Sequence, residues 1–264
     1  MSVIIIINSM INILVCYSNI CFNLILLLAI FCLKKITFKS ELSLFYTRFV
    51  VDIGYSFSIS IFKMYILAII ASNIFAVKNF IFFSMWSNIM FGTIRTSLLF
   101  LTSLDFSIYI FIFFLILFDQ FIMFGYCENT IDTPIDCDNF LCSFNECYIM
   151  YWVKNEQIVF SMIVALTILL SVKLVVYTVL AQNQSAQVYS RATQIAMFDS
   201  TTLILFNLIP VLSTFWFESV DYQTFSSITT LTRNLGFLIN TLIIFRIFMR
   251  DVNIVAPPLT YPNL

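Results

Sequence analysis

Leu99 to Phe121 read LFLTSLDFSIYIFIFFLILFDQF, a stretch without glycine or proline whose only charged residues are Asp105 and Asp119. It lies inside an apolar run from Asn79 to Tyr126. As one helix this run would be about 72 Å long, against about 30 Å for the hydrocarbon core of a bilayer. It must therefore fold back once. The segment TSLD, Thr102 to Asp105, predicts the turn, because hydroxyl and carboxylate groups can satisfy backbone groups that a turn leaves free.

The composition of the whole chain requires an apolar environment. The chain has 264 residues, of which 61% are apolar and only 10% are charged. A water-soluble domain cannot bury that much apolar surface, so we predict that the lipid bilayer surrounds this chain. The 13 basic and 14 acidic residues give no basic excess for a phosphate backbone, so we expect no nucleic acid among the partners.

Several kinds of chemistry are disfavoured by what the chain contains. It has no histidine, which removes histidine-based metal sites, catalytic triads and the commonest general base near neutral pH. Four glycines form no phosphate-binding loop. We therefore expect no enzyme activity, no cofactor and no metal site.

Apolar stretches long enough for a helical crossing recur along the chain. With the fold-back they number seven, at about residues 10–33, 45–70, 79–101, 106–126, 157–181, 195–217 and 226–249. The predicted fold is an all-α membrane protein, a seven-transmembrane helix bundle over residues 1–249. Residues 250–264 contain three prolines and no helical periodicity, so we predict a short disordered cytoplasmic tail.

Lysine and arginine are distributed unevenly between the two sides of this bundle. One side has only Lys78 and Lys154, whereas the other has Lys34, Lys35, Lys39, Arg48, Arg191, Arg246 and Arg250. The positive-inside rule therefore places the N-terminus outside the cell and the C-terminus in the cytoplasm. Six spans, with one long third helix, would put the basic closing segment on the side of Lys154. Charge thus supports the fold-back independently.

A loop rich in cysteine and acidic residues connects the fourth and fifth spans. Its cysteines are Cys127, Cys137, Cys142 and Cys147. The predicted orientation makes this loop extracellular, where disulfides persist, and four cysteines allow three pairings. Two disulfides are favoured over a calcium site, because the loop lacks the regularly alternating ligands and the turn glycine of an EF-hand.

The second half of the chain contains a series of features in a recognisable order. The cysteine-rich loop is followed by the pair Tyr151 and Trp152, the pair Lys173 and Leu174, the segment Ser190 to Ala192 with Asp199, and Pro210. In this order and spacing the chain resembles the nematode serpentine chemoreceptors of class bc. The resemblance covers about Tyr126 to Phe248 well, and the first two helices loosely through FYTRFVVDIGYS.

The resemblance implies a G-protein-coupled receptor in the plasma membrane of a sensory neuron, with the sensory cilium as the implied location. Its implied partners are a small environmental or pheromone-like molecule and a heterotrimeric G protein. In such receptors the third helix ends in a DR or ER pair that precedes a basic cytoplasmic loop. Here Asp105 is followed at once by Phe106 and apolar sequence, so the arginine and most of the second cytoplasmic loop are missing.

Two explanations of this departure compete: a real compact variant, in which the missing arginine would affect coupling to the G protein, and an omitted exon or a decayed gene. We favour the second, because an apolar hairpin without a basic residue at its cytoplasmic tip conflicts with the positive-inside rule.

Ionisable residues within the spans are the candidate functional residues, since each costs about 2.5–3.5 kcal/mol on insertion scales unless it finds a partner or water. Lys63, Asp119 and Arg233 lie toward the outer half, and Trp86 is a further pocket candidate. If they face the interior, the two cations favour a small acidic ligand; otherwise the lysine and arginine extend toward the membrane surface. An inner polar cluster is expected from Arg48, Asp52, Arg95 and Asp199, as a conformational switch or as a static helix contact.

Two other function classes stay open at this point. A small transporter or channel subunit would show repeated halves or broken helices around a site at the midplane, and no convincing repeat is present. A non-signalling, truncated receptor would insert into the membrane without responding to a ligand.

Overall fold

Long α-helices make up most of the chain that the structure describes. The computed structural model describes residues 2–32, 43–72, 77–103, 109–133, 140–180, 198, 201–213 and 222–255. The helices are α1 (Ser2–Leu27, continued by a π-helix Leu28–Cys32), α2 (Ser43–Ser72), α3 (Phe80–Ser103), α4 (Tyr109–Gln120, continued by a π-helix Phe121–Tyr126), α5 (Phe140–Ser143), α6 (Glu146–Leu180), α7 (Ile209–Ser213, preceded by a π-helix Ile204–Leu208) and α8 (Tyr222–Val255).

The long apolar run is divided into two antiparallel helices, α3 and α4. Near the start of α3, the Trp86 indole Nε1 donates a hydrogen bond to Gln120 Oε1 at the end of α4, at 2.7 Å. Near the other end, Leu98 of α3 packs in one core cluster with Ile112 of α4. The fold-back is therefore present, although residues 104–108, which include Asp105 of the predicted turn, lie outside the described residues.

The first and last helices of the bundle run parallel. Asn234 Nδ2 of α8 donates to Asn12 Oδ1 of α1 at 2.8 Å, and Thr241 Oγ1 donates to Asn19 Oδ1 at 2.9 Å. The two contacts are separated by the same number of residues on both helices and occur in the same order. Parallel first and last spans require an odd number of crossings, which agrees with seven spans and not with six.

Length and composition match a membrane bundle. Four of the described helices are long and apolar enough to cross a bilayer, over Ile5–Cys32, Tyr46–Ala71, Glu146–Lys173 and Ile228–Ile247. A shorter apolar helical stretch covers Ile112–Tyr126. Which end of the bundle faces the cell exterior stays a prediction from the distribution of lysine and arginine.

Several helices extend beyond the spans predicted from hydropathy. α1 begins at Ser2 rather than near residue 10, α6 begins at Glu146 rather than near residue 157, and α8 continues to Val255 rather than ending near residue 249. The prediction of a disordered tail from residue 250 is therefore wrong for residues 250–255, and residues 256–264 lie outside the described residues. The helix can continue to Val255 because the first proline after Arg250 is Pro257, and proline disfavours helical geometry at the residue directly before it.

Gly236 allows α8 to approach the π-helix Ile204–Leu208. A Cβ atom at position 236 would lie 2.5 Å from the Cβ atom of Phe206. We expect Gly236→Ala to lower the free energy of unfolding by about 1–3 kcal/mol, the usual cost of overpacking. Gly92→Ala is the matched control, because its Cβ would have its nearest neighbour, a Tyr55 ring carbon, at 3.9 Å. Thermal unfolding in detergent tests this, and equal stability of the two variants would contradict the close approach.

Candidate functional site

Three of the four residues predicted for the inner polar cluster meet between α2 and α3. Arg48, Asp52 and Arg95 have relative exposures of only 2%, 3% and 2%. Arg95 Nε contacts Asp52 Oδ1 at 2.5 Å, and Arg48 Nε lies 3.9 Å from Asp52 Oδ2. The fourth residue, Asp199, lies outside the described residues. A carboxylate shared by two guanidinium groups offsets the cost of burying these charges and ties α2 to α3.

The ion pair between Arg95 and Asp52, here called the inner pair, also contacts α8. The guanidinium carbon of Arg95 lies 3.3 Å from the centroid of the Phe237 ring, which is cation–π geometry. A small cleft beside the pair is lined by Arg48, Arg95, Thr202, Asn207, Phe237 and Asn240. Four helical segments therefore meet at the inner pair, so a shift of one of them would disturb the others.

Arg233 forms an ion pair that the sequence analysis did not identify. Its Nη1 and Nη2 atoms donate to Glu156 Oε1 and Oε2 of α6, both at 2.9 Å. This bidentate geometry is the strongest form of an arginine–carboxylate contact. Glu156 was missed because it precedes the most apolar part of its segment, and the predicted fifth span began one residue after it. Glu156 neutralises the Arg233 charge within the bundle, so Arg233 does not extend to the membrane surface.

Asp119 and Trp86, two of the predicted ligand-binding residues, lie together between α3, α4 and α6. Asp119 is buried, and the Tyr148 hydroxyl donates to its Oδ2 at 3.2 Å. Trp86 hydrogen bonds to Gln120, the residue next to Asp119. Trp86 also packs against the core cluster that contains Tyr148. Sequence reasoning missed Tyr148 because it lies within a loop-like segment beside Cys147.

Lys63 of α2 is buried, with a relative exposure of 8%. Its Nζ atom lies 5.4 Å from the centroid of the neighbouring Phe62 ring, and its charge also interacts with the Cys16 thiol of α1. Within the described residues no carboxylate forms an ion pair with it. Lys63 therefore points into the bundle instead of extending to the membrane surface.

A stripe of asparagines on α1 is the largest feature that sequence reasoning overlooked. Its buried members, here called the α1 asparagine stripe, are Asn8, Asn12, Asn19 and Asn23. Spacings of four, seven and four residues place them on one helix face, and this spacing was the available signal. The stripe binds α8 as described above, and Asn19 Nδ2 also donates to Ser56 Oγ of α2 at 2.8 Å. Such amide contacts hold helices together in lipid, where water cannot replace them.

The chain matches the family model described as serpentine type 7TM GPCR chemoreceptor Srbc, over residues 1–106 and 104–252. It belongs to the Srbc family. The resemblance to class bc chemoreceptors is thereby confirmed, as is the seven-transmembrane fold. Comparisons with curated proteins and with solved structures gave no match.

The match to the Srbc model is divided where the sequence analysis placed the irregular turn. The two matched segments meet at residues 104–106, which include Asp105 and Phe106. The division coincides with the place where Asp105 is followed directly by Phe106 and apolar sequence in this Srbc chain.

The extracellular loop predicted for this Srbc chain contains a disulfide between Cys127 and Cys147. Cys142 is also disulfide-bonded, and Cys137 lies outside the described residues. The Asn145 amide donates to the Cys127 carbonyl oxygen, and its Oδ1 accepts from the Tyr148 backbone N–H at 2.9 Å. Asn145 thus caps the start of α6 while it holds the end of α4.

The disulfide defines one end of the bundle, and the candidate residues divide according to their distance from it. Lys63, Trp86, Asp119 and Arg233 all lie in the halves of their helices nearer to the Cys127–Cys147 disulfide. The inner cluster lies in the opposite halves of α2 and α3. Within the described residues, no hydrogen bond or ion pair joins Lys63 to the other three candidates.

Proposed function

We propose that this protein is a chemosensory receptor that binds a small molecule in the outer half of the helix bundle and signals to a heterotrimeric G protein. Membership of the Srbc family supports the general class, a chemoreceptor of the G-protein-coupled type in a membrane. The ligand, the coupling and a location at the plasma membrane of a sensory cilium belong to the proposal. Formation of the disulfide in an oxidising compartment supports an exterior position for the half that contains Lys63.

The burial of Lys63 is the observation that carries the proposal of a ligand site. An ionisable group at this depth is costly unless it meets an opposite charge or water. Lys63 has neither a described carboxylate partner nor an exposed position. A ligand with an anionic group would supply the missing partner. We therefore propose that Lys63 anchors a small acidic ligand.

The other outer-half residues define how such a ligand is accommodated. Arg233 is already neutralised by Glu156, so the preference for an acid depends on Lys63 alone. Asp119 with Tyr148, and Trp86 with Gln120, offer hydrogen-bonding groups and aromatic surface at the neighbouring contact of α3, α4 and α6. These groups would select for the shape and the uncharged part of the ligand.

Replacement of Lys63 tests the ligand site. With Lys63→Met we expect the concentration of an acidic ligand needed for half-maximal response to rise about 10- to 100-fold, the usual worth of one charged hydrogen bond. The readout is nucleotide exchange on a G protein by receptor in lipid nanodiscs, over a panel of paired acidic and neutral small molecules. Lys173→Met is the matched control, because Lys173 is an exposed lysine of α6.

Each result of this experiment has a defined meaning. Equal responses to acidic and neutral analogues would contradict an acidic ligand at Lys63. The receptor could be labelled at its N-terminus on intact cells and still show no ligand-dependent nucleotide exchange. That result would favour the non-signalling alternative. Substrate flux through the protein in liposomes would favour the transporter class.

A further inference from the structure

Two ion pairs inside the bundle lie about one helical turn apart along α8. The outer pair joins Arg233 to Glu156 of α6, and the inner pair joins Arg95 to Asp52 between α3 and α2. Arg233 and Phe237 are separated by four residues on α8, about 6 Å along the helix axis, so they share one face. Phe237 itself contacts Arg95. Only one helical turn therefore separates the two ion pairs.

The Phe237 ring is held between groups from two other helices. On one side is the Arg95 guanidinium, whose carbon lies 3.3 Å from the ring centroid. On another is the Tyr55 ring of α2, with 5.5 Å between centroids and an interplanar angle of 66°. Tyr55 and Phe237 also share a core cluster with Ile59 and Cys16. Because the ring packs against both groups, its displacement would alter its contact with Arg95 and its contact with Tyr55 together.

Tyr55 provides a second connection between the same two pairs. It lies three residues from Asp52 on α2, on the same face. Its hydroxyl lies within electrostatic range of both Arg233 and Glu156. Thus α2 contributes Asp52 to the inner pair and places Tyr55 near the outer pair. In the same way, α8 contributes Arg233 to the outer pair and places Phe237 against Arg95 of the inner pair.

We propose that Phe237 and Tyr55 couple the Arg233–Glu156 pair to the Arg95–Asp52 pair, so that a change in one ion pair alters the stability of the other. When the outer pair loosens, α8 shifts relative to α6, and the Phe237 ring leaves its position over Arg95. The Arg95 guanidinium then loses its contact with the Phe237 ring, which changes the stability of its ion pair with Asp52. The role of this coupling in signalling rests on the proposed receptor function, but the coupling itself is a property of the folded chain.

A double-mutant cycle on the purified full-length protein tests the coupling without any ligand or G protein. Arg233→Lys and Arg95→Lys each keep the positive charge but lose the geometry of the guanidinium group. In the native background we expect their effects on Tm to be non-additive by at least about 2 °C. In a Phe237→Leu background the same two effects should add. The result is independent of the proposed function, which is tested by nucleotide exchange.

The chain provides a matched control and a second route. Phe245, also on α8, makes a comparable edge-to-face contact with Phe22, with centroids 5.7 Å apart. Phe245→Leu should lower stability while it leaves the non-additivity intact, and Phe237→Tyr, which keeps the ring, should also retain it. If Phe237→Leu does not fold, Tyr55→Leu serves as the alternative background. Additive effects in the native background, or non-additivity that persists in the Phe237→Leu or Tyr55→Leu background, would overturn the proposal.

Discussion

Replacement of Glu156 by glutamine should lower the free energy of unfolding by about 3–5 kcal/mol, because it leaves the Arg233 guanidinium, of which only 15% is exposed, without its carboxylate. The loss exceeds the worth of an ordinary hydrogen bond, since the remaining charge has been removed from water without compensation. Unfolding of the purified protein in detergent measures it. Glu146→Gln is the control, because Glu146 is an exposed acid at the start of the same helix.

Removal of both partners separates the cost of an unpaired charge from the worth of the pair. We expect Glu156→Gln combined with Arg233→Met to recover part of the stability that Glu156→Gln alone removes, because no uncompensated charge is left. A double variant that is less stable than Glu156→Gln would show that the two residues contribute independently. A Glu156→Gln variant as stable as the Glu146→Gln control would show that the ion pair is not formed.

Removal of the disulfide should cause the second largest decrease in the free energy of unfolding. The bond between Cys127 and Cys147 closes a loop of 20 residues, for which the chain-entropy model gives about 3 kcal/mol. We expect the Cys127→Ser and Cys147→Ser double variant to unfold at a lower temperature and to reach the cell surface poorly. The double replacement prevents a freed thiol from pairing elsewhere.

Two free cysteines provide the comparison for this prediction. Cys21 and Cys32 are exposed and free, so replacing both by serine should leave the unfolding temperature nearly unchanged. The disulfide also fixes Tyr148, the residue after Cys147, which donates to Asp119. A double disulfide variant that unfolds at the temperature of the Cys21 and Cys32 variant would contradict a stabilising role for the bond.

The number and order of the crossings could be predicted from sequence because they depend on length and hydropathy alone. The 48-residue apolar run had to fold back, and the structure divides it into α3 and α4. The contact between Asp52 and Arg95 was also foreseeable, since equal distances from the helix ends place them at similar depths. Depth along a helix follows from counting residues at a fixed rise.

The direction in which each helix faces could not be predicted in the same way. In a bundle with 61% apolar residues, the faces toward lipid and toward protein look alike, so no amphipathic pattern fixes the rotation. Sequence reasoning therefore left open whether Lys63 faces the interior, and it missed Glu156 and Tyr148. For α1 alone the asparagine stripe could have fixed the rotation, because amides in an apolar helix mark the buried face, but sequence reasoning overlooked it.

The α1 asparagine stripe has a consequence for how the receptor is made. Because α1 is synthesised before α8, the partners of Asn12 and Asn19 at Asn234 and Thr241 are not yet present when α1 enters the membrane. The Asn19 amide can meet Ser56 once α2 is inserted, but the Oδ1 atoms of Asn12 and Asn19 obtain their α8 donors only later, and an unsatisfied polar atom in lipid is unfavourable. We therefore expect the packing of α1 to be completed only after α8 has entered the membrane.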